Sequence, residues 1–302
     1  MAHIYALANQ KGGVGKTTTS VNLAVYLAAA GQRVLLVDFD PQANASSSLG
    51  INKDKVETSS YEVLLGTTTV AKATLKNTKL NLAILPASPA LAAAEVELVG
   101  EMAREYRFKH AIAPEMAKYD YILVDCPPSL GLLTVNALTG ASDGVLIPVQ
   151  CEYLALEGLG QLTRTVQLVK QRLNPHMEIA GLILTMFDSR TALSQQVANE
   201  VIKHFGPKVF ATRVPRNVRL SESPSYGQPI MTYSPNSPGS LAYKALASEL
   251  IARNKAEPSS EQKVLSPETR VPSTEPEAGA THAELGTRDS GLDTQHSTLG
   301  TH

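Results

Sequence analysis

From the N-terminus to about residue 254, short continuous apolar runs alternate with longer stretches of helical period. HIYALAN (3–9) reads as a buried strand. The stretch from Lys16 to Ala30 then places Val21, Leu23, Ala24, Leu27 and Ala28 near helical spacing, with Gly31 where a C-terminal cap belongs. RVLLVDFD (33–40) is a continuous apolar strand that ends in two carboxylates. Further strands are expected at 80–88, 119–127, 143–150, 179–188 and 208–215, and helices at 91–107, 153–173, 191–205 and 239–253. Apolar strands separated by helices predict an α/β fold, a mainly parallel twisted sheet flanked by helices on both faces. Ligands of such sheets sit at the C-terminal ends of the strands, which is where the unusual polar residues of this chain fall.

After about residue 254 the pattern stops. Residues 255–302 hold no aromatic residue, four prolines and thirteen Ser or Thr, too little apolar surface to offset the entropy of ordering. The expected organisation is a body at 1–254 and a disordered acidic tail at 255–302. This division changes the meaning of the charge. The whole chain balances 27 basic against 28 acidic side chains, but the tail holds four against eight and the body 23 against 20. A mildly basic body therefore hides behind a net charge of −1. Two cysteines, Cys126 and Cys151, are too few for a disulfide framework or a zinc ribbon and read as buried thiols. The opening MAHIYALANQK lacks the features of a signal peptide, and no apolar run approaches about 18 residues. A soluble, cytoplasmic protein is expected.

ALANQKGGVGKTTTS (6–20) joins the first strand to the first helix. Gly12, Gly13 and Gly15 let the backbone curl around Val14 so that successive N–H groups point inward, and the helix N-terminus adds its positive dipole end. Lys16 can reach the β- and γ-phosphates of a nucleotide, the Thr17 hydroxyl can take one position on Mg²⁺, and Thr18 follows on the same turn. YDYILVDCPPSLG (119–131) sets Asp125 at the tip of a second apolar strand, about 110 residues after the loop, the arrangement of a carboxylate that binds Mg²⁺ directly or through water. Period two places Asp38 and Asp40 on one face at the end of their strand. Asp38 could contact the loop, polarise water or cap a turn.

The loop departs from the plain G-x-x-x-x-G-K-[ST] pattern, because Gln10 stands at the first glycine position and a second lysine, Lys11, precedes the glycine pair. K-G-G-V-G-K-T-T resembles the deviant Walker A motif of the ParA/MinD/Soj ATPases. The resemblance implies an ATP- and Mg²⁺-dependent ATPase in which Lys11 reaches across an ATP-sandwich homodimer to the partner's nucleotide while Lys16 serves its own. It likewise implies that Asp40 orients the attacking water, that Pro215 and Asn217 in FATRVPRNVRLSESPSYG (210–227) border the adenine, and that Arg190 and Arg219 contact DNA without regard to sequence. Arg216 lies in the same basic cluster; Arg213 stands where an aliphatic residue is expected. Phosphate neutralisation needs only arginine or lysine, and dimerisation would double the contacts.

The reading implied for the whole is a chromosome- or plasmid-partitioning ATPase stimulated by a ParB-type centromere-binding protein and associated with the nucleoid. The body resembles the short, chromosomal Soj-like form. A MinD-like membrane ATPase would need a basic amphipathic C-terminal helix, and the tail is acidic. An electron-transfer protein of the nitrogenase iron-protein kind would need two cluster-binding cysteines, and neither Cys126 nor Cys151 fits that placement. A tyrosine autokinase would want a Tyr-rich tail, and 255–302 contain none.

Overall fold

The computed structural model describes residues 2–152 and 155–256. The expected tail lies outside the described residues, apart from Lys255 and Ala256, which continue the last helix. Among the described residues seven strands form one sheet: β1 (His3–Leu7), β2 (Val34–Asp38), β3 (Leu75–Asn77), β4 (Leu82–Leu85), β5 (Tyr121–Asp125), β6 (Gly144–Gln150) and β7 (Ile179–Thr185). Their order is β3-β4-β2-β5-β1-β6-β7, parallel throughout except for β3, which pairs antiparallel with β4. The helices are α1 (Lys16–Ala29), α2 (Asn44–Ser48), α3 (Ser60–Leu65), α4 (Val70–Ala73), α5 (Leu91–Glu97), α6 (Arg107–Ile112), α7 (Leu132–Gly140), α8 (Ala155–Arg172), α9 (Ala192–Phe205), α10 (Val218–Glu222), α11 (Ile230–Tyr233) and α12 (Pro238–Ala256).

The strands read as unbroken apolar runs because both faces are covered. Alternate residues feed two separate cores. Ala6, Leu35, Val37, Val124 and Ile147 pack with Leu64, Phe108, Leu133 and Leu162 on one face. Tyr5, Leu7, Leu36, Leu123 and Ile183 pack with Leu23, Leu27, Tyr243 and Leu246 of α1 and α12 on the other. Helix α1 ends as expected: Gly31 takes φ +85°, its N–H reaches the Ala28 carbonyl at 3.0 Å, and the Gln32 N–H reaches that of Leu27 at 3.1 Å. A left-handed residue after the last turn closes the helix in this way, and only glycine adopts it without strain.

Three expectations are corrected. Residues 208–215 do not form a strand; they make only isolated bridges, Val209 with Leu182 of β7 and Pro215 with Phe187 beyond the end of β7. The N–H groups of Phe210 and Val214 bond to Leu182 and Leu184, but those of Ala211 and Thr212 turn away to the Glu249 carboxylate of α12. A ladder interrupted at its centre is not a strand, and Phe210 is held beside Gly181, whose missing Cβ would lie 2.3 Å from the ring. The helix expected over 91–107 is broken after Glu97 by two short 3-10 turns, with Ala103 at φ +54° between them. The strand expected at 33–40 stops at Asp38, so period two does not extend to Asp40.

Candidate nucleotide site and arginine surface

The loop between β1 and α1 is fastened from outside as well as from within. Asn9 donates through Nδ2 to the Pro148 carbonyl at 2.8 Å and accepts through Oδ1 from the Lys11 N–H at 3.0 Å. Further along the loop the Thr185 hydroxyl, at the end of β7, donates to the Val14 carbonyl at 2.8 Å. Gly13 and Gly15 carry φ of +74° and +85°, the second at the N-cap of α1. The neighbouring strands β6 and β7 thus hold the curl that the glycines permit. Gly12, Gly13, Val14, Gly15, Lys16, Thr17 and Thr18 all lie on this curl or the first turn of α1.

Lys16 turns inward. It is only 6% exposed, and its Nζ donates to the Lys11 carbonyl at 3.2 Å. Burial pushes its ammonium below the ordinary value, opposed by the nearby Asp125, Cys126 and Asp40. The Lys11 side chain, by contrast, makes no hydrogen bond or ion pair among the described residues.

Three carboxylates face the loop. Parallel register sets Asp125 beside Leu7 on β1 and beside Asp38 on β2. Asp125 is fully buried; the Ser20 hydroxyl donates to Oδ1 at 2.7 Å, and Oδ2 has no partner. Burial, reinforced by Asp38, raises its pKa to about 7; the Ser20 hydrogen bond pulls the other way, as does the nearby Thr17 hydroxyl, which makes no hydrogen bond to the carboxylate in this structure. A buried carboxylate oxygen without a donor is costly unless a cation or its water completes it. Thr17 at the helix start and Asp125 Oδ2 are both hard oxygen donors, a set that suits Mg²⁺. No group of three His, Cys, Asp or Glu able to hold a metal occurs among the described residues, so such an ion would need phosphate or water oxygens for the rest of its shell.

Asp38 has a different role. Its Oδ1 accepts from the Asp40 N–H at 3.1 Å, and its Oδ2 accepts from both the N–H and the hydroxyl of Ser46 at 2.9 and 2.7 Å. Of the alternatives open to it, the turn-capping one describes these contacts. Burial raises its pKa to about 6, against the hydrogen bonds from Ser46 and Asp40. Asp40 lies beyond the strand end, where its Oδ1 accepts from the Gln42 N–H at 2.9 Å. Ser46 is the residue sequence reasoning missed. Its hydroxyl also accepts from the Ala87 N–H at 3.1 Å, tying the Asp40 loop to the segment after β4. A serine in a Ser-rich stretch carries no signal that could have marked it.

Pro215 and Asn217 stand on the turn that follows the β7 side of the sheet. The Arg216 N–H bonds to the Phe187 carbonyl at 3.1 Å, and the Asn217 side chain caps α10 through the Arg219 N–H at 2.9 Å. The unexpected Arg213 lays its guanidinium over the Phe187 ring, 4.6 Å from the centroid. The three candidate DNA-contacting arginines are each paired. Arg190 grips Asp188 at 2.8 Å, Arg216 grips Glu152 at 2.8 Å, and Arg219 grips Glu222 at 2.9 Å. The Arg190 side chain is nonetheless 86% exposed. Both cysteines are free and buried, and burial pushes the Cys151 thiol up to about 11. Among the described residues no helix is long and apolar enough to cross a membrane.

A family model described as an AAA domain matches residues 2–179. The chain is 56% identical over 252 residues to the sporulation initiation inhibitor protein Soj of Bacillus subtilis, covering 83% of this chain and 99% of that one. It is 54% identical over 255 residues to the chromosome partitioning protein ParA of Myxococcus xanthus, covering 84% and 89%. Among solved structures, a cobyrinic acid a,c-diamide synthase of Mycobacterium smegmatis with bound ADP and magnesium superposes with a TM-score of 0.75 at 39% identity, over 85% of this chain and 96% of that one. The cell-division ATPase MinD of Pyrococcus furiosus superposes with a TM-score of 0.68 at 26% identity, over 84% and 100%. A glycine curl pinned between strand ends, an inward lysine beside buried carboxylates, and identity running through the whole body agree: the chain belongs to the ParA/Soj family of chromosome-partitioning P-loop ATPases.

Proposed function

We propose that the chain binds ATP with Mg²⁺, closes as an ATP-sandwich homodimer, holds DNA without regard to sequence, and hydrolyses ATP when a ParB-type centromere-binding protein stimulates it. Its place would be the cytoplasm, on the nucleoid. The observation that carries this reading is the division of labour between two lysines five residues apart: Lys16 is buried on its own loop, while the Lys11 side chain has no partner among the described residues. A cation without a partner at the mouth of a phosphate loop is free to serve a nucleotide held by a second copy, and it would stabilise charge as the γ-phosphoryl group transfers.

In this reading the inward N–H groups of Gly12 to Thr18 cradle the phosphates, and Lys16 neutralises them from below. Thr17 and Asp125 hold Mg²⁺, which supplies further charge neutralisation on the phosphate oxygens. Asp40, kept in its turn by Asp38, orients the attacking water; Pro215 and Asn217 border the base. Arg190, Arg216 and Arg219 contact DNA phosphates, for which exchange of a carboxylate partner for a phosphate suffices. The relatives' names, Soj and ParA among them, support the partition role.

A gel shift on a scrambled-sequence duplex tests it, with wild type and Arg219→Glu compared in ATP and in ADP. Retention by wild type in ATP alone, lost in the variant and falling steeply with salt, is the expected result. Equal retention in ADP would remove the nucleotide-gated dimer from the reading.

A further inference from the structure

Ser20 lies one turn into α1, fully buried, with one hydroxyl proton and two acceptors in reach. These are the Lys16 carbonyl at 3.0 Å and Asp125 Oδ1 at 2.7 Å. A hydroxyl donates once, and the carboxylate oxygen, at the shorter distance, takes the proton in preference to a helix carbonyl already bonded within the helix. Asp125 Oδ1 is thereby occupied. Its Oδ2 is the one buried side-chain nitrogen or oxygen without a hydrogen-bond partner among the described residues. The carboxylate torsion of an aspartate is broad and roughly two-fold, so nothing intrinsic to Asp125 selects which oxygen is left over.

We propose that Ser20 is a positioning residue for the Mg²⁺ site: by pinning Oδ1 of Asp125 it reserves Oδ2 for the ion or its bound water. The proposal rests on the ATP·Mg²⁺ reading of this end of the sheet. Ser20 touches neither nucleotide nor ion and acts only through Asp125. Outer hydrogen bonds of this kind change metal affinity by roughly tenfold or more when removed. A serine that merely back-bonds to the preceding turn of its helix would leave metal affinity untouched.

The test uses Mn²⁺ as a paramagnetic stand-in for Mg²⁺. Free Mn²⁺ is measured by electron paramagnetic resonance in the presence of the full chain and saturating ATP, and metal-free ATP affinity is measured separately in EDTA. Ser20→Ala is expected to raise the apparent Kd for Mn²⁺ by about tenfold and to leave metal-free ATP affinity unchanged. Ser20→Thr, which keeps the hydroxyl, is expected to restore the wild-type value. If Ser20→Thr does not fold, the alanine variant and its EDTA control still decide. Ser20→Ala with wild-type Mn²⁺ affinity overturns the proposal, as does an equal loss of ATP affinity in EDTA. A wild-type chain that takes up no nucleotide under either condition would instead overturn the ATP-site reading beneath it.

Discussion

At the nucleotide end Lys16, Asp38 and Asp125 are buried and held by neighbouring backbone and hydroxyl groups. Lys16 rests on the Lys11 carbonyl, Asp38 caps the Asp40 turn with three hydrogen bonds, and strand register sets Asp125 beside Asp38. On the arginine surface the side chains are exposed, and each is held by a single neighbouring acid, Asp188, Glu152 or Glu222. Under the proposed function the contrast follows from what each region would handle. A reacting phosphate needs charges fixed before it arrives, in a site where low polarisability makes them count. Sequence-independent attachment to DNA needs only cations that can exchange one anion for another, and exposed ion pairs are weak enough to allow it.

Removing the inward cation should break the first region outright. Lys16→Ala is expected to weaken ATP binding by roughly 100-fold or more, since it would delete the charge-assisted contacts proposed for it with two phosphates. Equilibrium titration with a fluorescent ATP analogue reads this directly, and binding within a few-fold of wild type would contradict the assignment. Asp40→Ala should separate binding from chemistry. Nucleotide affinity stays near wild type while hydrolysis falls by about 100-fold, the usual weight of a group that orients or activates the nucleophile. A phosphate-release assay with normal turnover would show that Asp40 does not act on the water.

The two regions also differ in how far the sequence reveals them. The glycine curl, Lys16 and Asp125 are legible because each depends on local order: strand, turn and helix follow one another within a few residues, and β5 is a bare apolar run with one acid at its tip. The parallel sheet is legible for the same reason, since β1, β2, β5, β6 and β7 are continuous apolar runs. What escapes local reading depends on distant partners. The interruption of 208–215 is made by Glu249, some 37 residues further on, which takes two N–H groups that a strand would have used. Helix α7 was not expected, and Ser46 gains its meaning only from Asp38 and Ala87. The pairing of Arg216 with Glu152 joins residues 64 apart and left no trace in the basic cluster as read along the chain.

Burial of the carboxylates makes the nucleotide end sensitive to pH in a direction opposite to that of salt-bridged acids. Asp38 and Asp125 have their pKa values raised by burial to about 6 and about 7. Well below the ordinary carboxylate pKa of 3.8, both groups carry their protons in folded and unfolded chains alike, so ionisation contributes nothing to the difference. As pH climbs toward 6 and 7, the unfolded chain ionises them and the folded chain resists. The pair therefore lowers stability as pH rises through this range. The melting temperature of the nucleotide-free protein should therefore fall between pH 5 and pH 7.5, with a shallower fall in Asp38→Asn. Addition of ATP and Mg²⁺ should recover more stability at pH 7.5 than at pH 5, because the cation favours the ionised carboxylate. A flat profile would show that the buried acids are compensated by contacts other than those described.

The smallest expected effect bears on the arginine surface and sharpens the contrast most. Glu222 accepts from both Arg219 and the Tyr233 hydroxyl through the same oxygen, at 2.9 and 3.0 Å. A DNA phosphate reaching Arg219 must displace that carboxylate, and the acid itself repels the phosphate. Glu222→Gln keeps an acceptor for Tyr233 while removing the charge. Because an exposed pair contributes little, the variant should bind DNA only about two- to fivefold more tightly in ATP, with its melting temperature nearly unchanged. The gain should shrink as salt rises, since screening weakens the repulsion that was removed. If the variant instead bound DNA less well at every salt concentration, Glu222 would be holding Arg219 in its working position. The arginine surface would then be preset in the same manner as the phosphate loop.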